Sequence, residues 1–239
     1  VDPVRLARPR FTLAPVYDML PMRWRPDPQL GGAPGYGDFE PDPVALEIVK
    51  ADCCTLYDAD GKEYIDLIGG ISVANTGHRH PKVIAAIHAQ LEAYMHIMVY
   101  GEFVEAPQVQ YAKLLTEHLP PSLNSVYFTN SGAEAVEAAM KLAKRVTNRT
   151  GIIAFKNSYH GSTQGALSII GDEYWRNAYR PLLPDILHLD YNSFASLEYI
   201  TTNTACVIAE TVQAEAGLKP PSPEWMKALR EKCSSTGTL

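Results

Sequence analysis

Residues 127–137 read YFTNSGAEAVE, and this stretch decides how the rest of the chain is interpreted. It predicts a short strand from Ser125 to Thr129, a turn of small polar residues, and an amphipathic helix from about Ala133 to Val146. The helix carries apolar residues at the i, i+3, i+4, i+7 spacing of a buried stripe, namely Val136, Ala139, Met140 and Ala143.

The start of this helix carries Ser131 and Gly132. Exposed N–H groups and the positive end of the helix dipole make such a position a natural anion pocket, and glycine lets the backbone approach a ligand closely. A plain strand–helix turn with a serine cap explains the same residues equally well. The choice between the two interpretations depends on the surrounding sequence.

Composition and charge exclude several classes of protein. A net charge of -6 over 239 residues gives no basic surface for nucleic acid, and no apolar run is long enough to span a bilayer. The first residues, VDPVR, do not resemble a secretory signal. The cysteines Cys53, Cys54, Cys206 and Cys233 match neither a zinc spacing nor a disulfide framework, and Cys206 is expected in the core. We therefore expect a reduced cytoplasmic protein without a membrane or nucleic-acid partner.

The pattern along the chain predicts three segments. Residues 1–42 are rich in proline and glycine and predict an extended N-terminal arm. Residues 43–80 predict a small antiparallel sheet, with a hairpin turn at DADGK, residues 58–62. Residues 81–239 predict a large domain that begins with two helices, near 81–96 and 107–119. The first helix would have Val83, Ile84, Ile87 and Leu91 on its buried face. The second would have Val109, Leu114 and Leu115 on its buried face.

The remainder of the large domain alternates between strands and helices. The predicted strands cover residues 151–155, 186–189 and 205–209, and the predicted helices lie near 172–178, from Ser193 onward, and over 223–234. Such alternation is typical of an α/β fold with a mainly parallel sheet flanked by helices. Residues 237–239 then read as the first step of another strand, which would leave a βαβ unit unfinished. We therefore expect the large domain to be incomplete and the chain to be the N-terminal part of a longer protein.

Two polar segments follow predicted strands and should lie at the carboxyl edge of the sheet, where open α/β sheets bind ligands. Residues 157–163, NSYHGST, place an aromatic ring beside an imidazole and could form a wall for a planar cofactor. Residues 210–217, ETVQAEAG, supply two carboxylates and an amide. The alternative for residues 157–163 is a surface loop with a partly buried tyrosine. The alternative for residues 210–217 is a solvated loop.

In this order, the segments SGAEAVEAAMKLAK, YHGST, and ETVQAEAG followed by PSPEWMKALREKC resemble the class-III (ω-amino acid) pyridoxal-phosphate-dependent aminotransferases. The resemblance runs from about Pro43 to the end and includes LYDADGKEYIDLIGGISVANTGHRHP. It implies the type I fold of pyridoxal-phosphate (PLP) enzymes and a homodimer. It also implies transfer of an amino group between an amine or ω-amino acid and a 2-oxo acid.

The resemblance implies roles for matching residues around the cofactor. Ser131, Gly132 and Ala133 would bind its phosphate, and Tyr159 would stack on its pyridine ring. The neighbouring His160 and Gly161 would shape the loop, while Glu210 would lie in the polar layer beneath the ring.

Other matching residues concern the substrate. Glu215 corresponds to a glutamate that pairs with a C-terminal arginine in ornithine- and 4-aminobutyrate-type members, which favours 2-oxoglutarate as acceptor, although relatives that use pyruvate exist. Ile71, Ser72 and Val73 would line the substrate entrance. The amino donor is not determined by the sequence.

The resemblance also implies residues that this chain lacks. The aspartate that pairs with the pyridine nitrogen, the Schiff-base lysine and the carboxylate-binding arginine would all lie beyond Leu239. We therefore expect the chain alone to be inactive. The alternatives are a non-catalytic dimerisation or regulatory partner, or a racemase, decarboxylase or aminomutase on the same fold. No metal site is expected: Cys53 and Cys54 are interpreted as packing, and His78 and His80 as structural.

Overall fold

A computed structural model describes residues 46–98 and 101–239, which fall into two compact units that divide between Val126 and Tyr127. The predicted arm, residues 1–42, lies outside the described residues. The three-segment division of the chain stays a prediction. Below, the described residues up to 126 are called the N-terminal unit, and residues 127–239 the C-terminal unit.

The N-terminal unit contains the predicted small antiparallel sheet. Its strands, in spatial order, are β1 (Ile48–Asp52), β2 (Thr55–Asp58) and β3 (Glu63–Ile65). The β2–β3 hairpin is held by Asp58, whose carboxylate accepts hydrogen bonds from the N–H of Asp60 (3.0 Å) and Lys62 (2.9 Å) and from the Tyr64 hydroxyl (2.8 Å). The DADGK turn thus forms where the sequence predicts it.

Two helices follow a tight turn at Gly69–Ser72 in this unit, α1 (Pro81–Ala93) and α2 (Ala106–Glu117). Pro81 occupies the first turn of α1, as predicted. The faces predicted to be buried are largely exposed, including Val83, Ile84, Ile87, Leu91, Val109 and Leu114. That part of the prediction is wrong for the described residues, because an apolar stripe is buried only where another element covers it.

The C-terminal unit alternates strands and helices around a parallel sheet. Its elements are α3 (Gly132–Thr147), β4 (Gly151–Phe155), α4 (Gln164–Ser168), α5 (Glu173–Arg176), β5 (Ile186–Leu189), β6 (Thr204–Val207) and α6 (Pro223–Thr236), with 3₁₀ turns at Asn177–Tyr179 and Phe194–Tyr199. The strand order is β5-β4-β6, and both pairings are parallel. This arrangement confirms the predicted α/β class.

Leu239 continues the sheet on the free side of β6. Its N–H donates to the Ala205 carbonyl (3.1 Å), and its own carbonyl accepts from the Val207 N–H (2.9 Å). These two hydrogen bonds have the parallel pattern, so Leu239 pairs with β6 as a residue of a parallel neighbour would.

One predicted strand is absent from the described residues. Residues 123–129 contain no regular secondary structure, although Ser125 to Thr129 reads as a strand. A strand is defined by a ladder of N–H and C=O groups shared with a neighbouring strand, and neither sheet in residues 46–98 and 101–239 includes this segment. The sequence pattern identifies the extended segment but not its partner.

Successive side chains of β4 point to opposite faces of the sheet, and each face is covered by a helix. Ile153 and Phe155 pack with Trp225, Leu229 and Cys233 of α6, with the Phe155 and Trp225 ring centroids 5.3 Å apart. On the other face, Ile152 and Ala154 pack with Met140 and Ala143 of α3 and with the predicted core residue Cys206. Burial raises the pKa of the Cys206 thiol to about 11.

Arg149 joins three segments of the C-terminal unit. One guanidinium nitrogen, Nη1, lies 3.0 Å from each of the carbonyl oxygens of Thr204, Thr236 and Gly237. The side chain therefore ties the start of β6 to the end of α6.

Replacing Arg149 with methionine is expected to lower the free energy of unfolding by about 2 kcal/mol, because carbonyl oxygens lose a charged donor. Urea unfolding followed by circular dichroism measures this change. Arg145→Met is the matched control, since Arg145 is exposed in the last turn of α3. Equal effects of the two substitutions would contradict the assigned role of Arg149.

Candidate cofactor site

The N-terminus of α3 offers free backbone donors. Ser131 is the N-cap: its Oγ accepts from the Glu134 N–H (3.1 Å), while the Glu134 carboxylate accepts from the Asn130 N–H (2.6 Å). The N–H groups of Gly132 and Ala133 precede the first helical hydrogen bond, Ala135 N–H to the Ser131 carbonyl, and have no partner among the described residues.

Space is available beside these donors. A Cβ atom built on Gly132 would meet no heavy atom within 4 Å. Two free N–H groups at the positive end of a long helix, facing open space, are suited to a phosphate or another anion.

The loop after β4 carries Tyr159 and His160. The Tyr159 N–H donates to Glu210 Oε1 (3.0 Å), and its hydroxyl forms a hydrogen bond with Ser162 Oγ (3.2 Å). Burial lowers the pKa of the His160 imidazole, an effect that the nearby Glu210 carboxylate partly opposes. The imidazole is therefore neutral at pH 7, and its buried Nε2 has no hydrogen-bond partner among the described residues.

Gly161 joins this loop to α3. Its φ is +116°, and a Cβ atom there would lie 2.6 Å from Ala133 Cβ and 2.9 Å from Ala133 Cα. Only glycine allows both this backbone conformation and this approach. The YHGST segment and the first turn of α3 are thus in direct contact.

Glu210 joins the loops that follow all three strands. Its two carboxylate oxygens accept from the N–H of Tyr159 (3.0 Å) and of Ala214 (3.1 Å). Its backbone carbonyl accepts from the Tyr191 hydroxyl, which follows β5, at 2.8 Å. The carboxyl ends of β4, β5 and β6 are therefore connected at one edge of the sheet.

Glu215 is exposed on a loop that closes on itself. Gln213 and Lys219 pair at its base, with N–H to carbonyl distances of 3.1 Å and 2.9 Å. The side chain of Gln213 is 1% exposed, and its Nε2 donates to the Lys156 carbonyl (2.9 Å). Gln213 is not among the predicted site residues, although its position as an amide between two carboxylates after a buried strand is a usable signal in the sequence.

Other predicted residues belong to the N-terminal unit. Ile71 and Val73 are both exposed there, and their place at the substrate entrance stays a prediction. In the same unit, His78 Nε2 is 2.6 Å from Asp66 Oδ2. Within residues 46–98 and 101–239, no group of three or more His, Cys, Asp or Glu side chains could hold a metal ion. No helix in that part of the chain has the length and apolar character needed to cross a membrane.

A polar cleft of about 320 Å³ lies beside the cluster. It is lined by Lys156, Asn157, Asp190, Tyr191, Asn192, Gln213, Lys219 and Pro220. The Lys156 ammonium group pairs with Asp190 at 2.7 Å. The lysine that follows β4 is thus engaged with a carboxylate.

The residues present fit a flat, phosphorylated cofactor. The free N–H groups of Gly132 and Ala133 would meet a phosphate, and the Tyr159–His160 loop supplies aromatic surface, with burial lowering the pKa of the His160 imidazole. The unpartnered Nε2 of His160 adds a polar atom within this loop. These features fit pyridoxal phosphate, the cofactor that the sequence resemblance implies.

Comparison with known proteins identifies relatives over most of the chain. The family model described as Aminotransferase class-III matches residues 36–239. The chain is 42% identical over 200 residues to the acetylornithine aminotransferase of Methanopyrus kandleri, covering 82% of this chain and 50% of that protein. It is 39% identical over 205 residues to a LysW-aminoadipate semialdehyde/glutamate semialdehyde transaminase of Sulfurisphaera tokodaii, covering 85% and 51%. The chain thus spans about half the length of these curated relatives.

Solved structures agree with these relatives. The ornithine aminotransferase of Toxoplasma gondii ME49 superposes with a TM-score of 0.76 at 27% identity, covering 88% of this chain and 50% of that one. The taurine:2-oxoglutarate aminotransferase of Bifidobacterium kashiwanohense, solved in complex with PLP and glutamate, gives 0.74 at 28% identity, covering 82% and 48%. By its sequence and its type I fold, the chain belongs to the class-III aminotransferase family, whose cofactor is pyridoxal phosphate.

Proposed function

We propose that the protein containing this chain transfers an amino group between a donor with a terminal amino group and a 2-oxo acid. This chain would supply the part of the site that binds the cofactor phosphate and covers the ring. The observation that carries the proposal is the joining of three motifs: Gly161 contacts Ala133 at the α3 N-terminus, and Glu210 holds the Tyr159 N–H.

Each residue of the cluster has a physical task in this proposal. The N–H groups of Gly132 and Ala133 bind the phosphate, because the helix dipole and the open space favour an anion there. Tyr159 and His160 hold the ring by stacking, and burial keeps the imidazole neutral. Glu210 fixes the loop that carries them. When bound, pyridoxal phosphate supplies an aldehyde that carries the amino group and a ring that accepts electrons.

The relatives' names indicate the class of donor. They name acetylornithine, semialdehydes of aminoadipate and glutamate, and ornithine, and one names taurine with 2-oxoglutarate. We propose a donor like acetylornithine, ornithine or taurine, with the amino group at the end of a short carbon chain. The semialdehydes are the carbonyl form that a terminal amine of this kind takes after it has given up its amino group. The exposed Glu215 carboxylate is free to pair with an arginine supplied elsewhere, which favours 2-oxoglutarate over pyruvate as acceptor. We also propose a cytoplasmic homodimer.

The test uses the full-length protein loaded with pyridoxal phosphate. Acetylornithine, ornithine and taurine are each supplied with 2-oxoglutarate or with pyruvate, and glutamate or alanine formation is followed by chromatography. We expect glutamate from acetylornithine or ornithine, at a kcat/KM at least about tenfold above that with pyruvate.

Two outcomes would overturn the proposal. One is the absence of amino transfer from every donor to either acceptor. The other is carbon dioxide release, racemisation or amino-group migration within the donor as the main reaction, which would place the protein among the other reaction types of this fold.

A further inference from the structure

Glu137 of α3 makes three hydrogen bonds to the segment that follows the Tyr159 loop. Its Oε1 accepts from the Thr163 hydroxyl (2.6 Å), the Gly165 N–H (2.8 Å) and the Ala166 N–H (3.1 Å). Gly165 is buried against this carboxylate, and a Cβ atom there would overlap it. The fit between Glu137 and this segment is therefore tight as well as hydrogen-bonded.

Together with Glu210, this contact fixes residues 159–166 at both ends. Glu210 holds the N–H of Tyr159 from the β6 side, whereas Glu137 holds residues 163–166 from the α3 side. Between these ends, the backbone of Gly161 packs against Ala133. The segment that carries Tyr159 and His160 is thus attached to the same helix whose first N–H groups are free.

A plain capping role for the short helix α4 explains less of the geometry. Thr163 is the N-cap of α4, but its side chain does not cap the helix and donates to Glu137 instead. Glu137 itself is half-buried on a helix that belongs to the core. The carboxylate therefore sets where the loop lies relative to α3 in addition to satisfying two N–H groups.

We propose that Glu137 is a positioning residue that sets the separation between the phosphate-binding N–H groups of residues 132–133 and the Tyr159–His160 wall. The inference rests on the proposed function. Pyridoxal phosphate joins its ring to its phosphate through a short CH2–O linkage, so the distance between the two parts is limited. A shift of the loop relative to α3 then weakens the contacts of the ring, of the phosphate, or of both.

The experiment compares the full-length wild type with Glu137→Ala, Glu137→Gln and Thr163→Val. Apoprotein is titrated with pyridoxal phosphate, with pyridoxal, which lacks the phosphate, and with inorganic phosphate as a competitor. Cofactor absorbance and induced circular dichroism report binding, and thermal unfolding of the apoprotein reports stability. Glu231→Ala is the matched control, because Glu231 is an exposed carboxylate on the long helix α6.

We expect Glu137→Ala to weaken pyridoxal phosphate binding by about 10- to 100-fold, with less than about a threefold change for pyridoxal or for phosphate alone. Glu137→Gln should recover part of the lost binding, since an amide oxygen has two lone pairs and can keep two of the three hydrogen bonds that Oε1 accepts. Thr163→Val, which removes one hydrogen bond and keeps the shape, should be intermediate. Glu231→Ala should bind like the wild type.

An equal loss of affinity for pyridoxal phosphate, pyridoxal and phosphate would mean local unfolding and would overturn the inference. Wild-type affinity for pyridoxal phosphate in both Glu137→Ala and Thr163→Val would also overturn it. If Glu137→Ala does not fold, Thr163→Val decides by the same comparison of ligands. Failure of the proposed function is distinguishable, because it would appear in the wild type as no binding of pyridoxal phosphate or no amino transfer.

Discussion

Replacing Gly161 with alanine is expected to lower the free energy of unfolding by about 2–4 kcal/mol and to weaken pyridoxal phosphate binding by more than about tenfold. Gly161 has a φ of +116°, which L side chains rarely adopt, and its Cβ would lie 2.6 Å from Ala133 Cβ. The loop would have to move away from α3, which separates the Tyr159 wall from the phosphate-binding N–H groups. Urea unfolding and cofactor titration measure the two effects.

Two further variants separate backbone strain from the steric contact. Gly217 has a φ of +92° with no atom within 4 Å of its Cβ position, so Gly217→Ala should cost about 1–2 kcal/mol from strain alone. Adding Ala133→Gly to Gly161→Ala should recover part of the lost stability, because it removes the Cβ–Cβ overlap. A Gly161→Ala variant no less stable than Gly217→Ala, with unchanged cofactor binding, would contradict the assigned contact.

The elements of the C-terminal unit could be predicted because their signals are local. The strands at residues 151–155 and 186–189 are short apolar runs bounded by turn residues, and the structure confirms them without a shift. Helix α3 follows from its apolar stripe and its Ser131 cap. The common edge of the loops after β4 and β6 follows from the parallel sheet, which brings the carboxyl ends of the strands together.

What could not be predicted depends on partners distant in sequence. The Glu210–Tyr159 hydrogen bond spans 51 residues, and the Glu137–Thr163 bond spans 26, so no local pattern contains them. The segment over residues 125–129 reads as a strand, yet it belongs to neither sheet in the described part of the chain. The apolar faces of α1 and α2 likewise mark a surface suited to burial, but the sequence pattern does not identify the element that would cover it.

The pKa of His188 on β5 is strongly lowered by its surroundings. Its Nδ1 lies 3.3 Å from Nη1 of Arg176, a guanidinium that is 7% exposed and paired with Glu173 at 2.5 Å. Its buried Nε2 has no partner among the described residues. Burial, and after it the Arg176 charge, lower the pKa of His188 to about 4, while Glu173 acts in the opposite direction.

Stability is therefore expected to fall as the pH drops from about 6.5 towards 4. The unfolded chain binds a proton at His188 near pH 6.5, whereas the folded protein binds it only near pH 4, so protons favour the unfolded state between these values. The effect of His188 should reach about 1–2 kcal/mol between pH 7 and pH 5, because solvent screens part of the charge of this half-buried imidazole. Urea unfolding of the wild type and of His188→Asn at the two pH values isolates the contribution of His188 to the pH dependence of stability. Both proteins retain His160 and its lowered pKa, so the effect of His160 cancels in the comparison. The variant should lose about 1–2 kcal/mol less than the wild type over this range, and parallel losses would show that protonation of His188 is not coupled to folding.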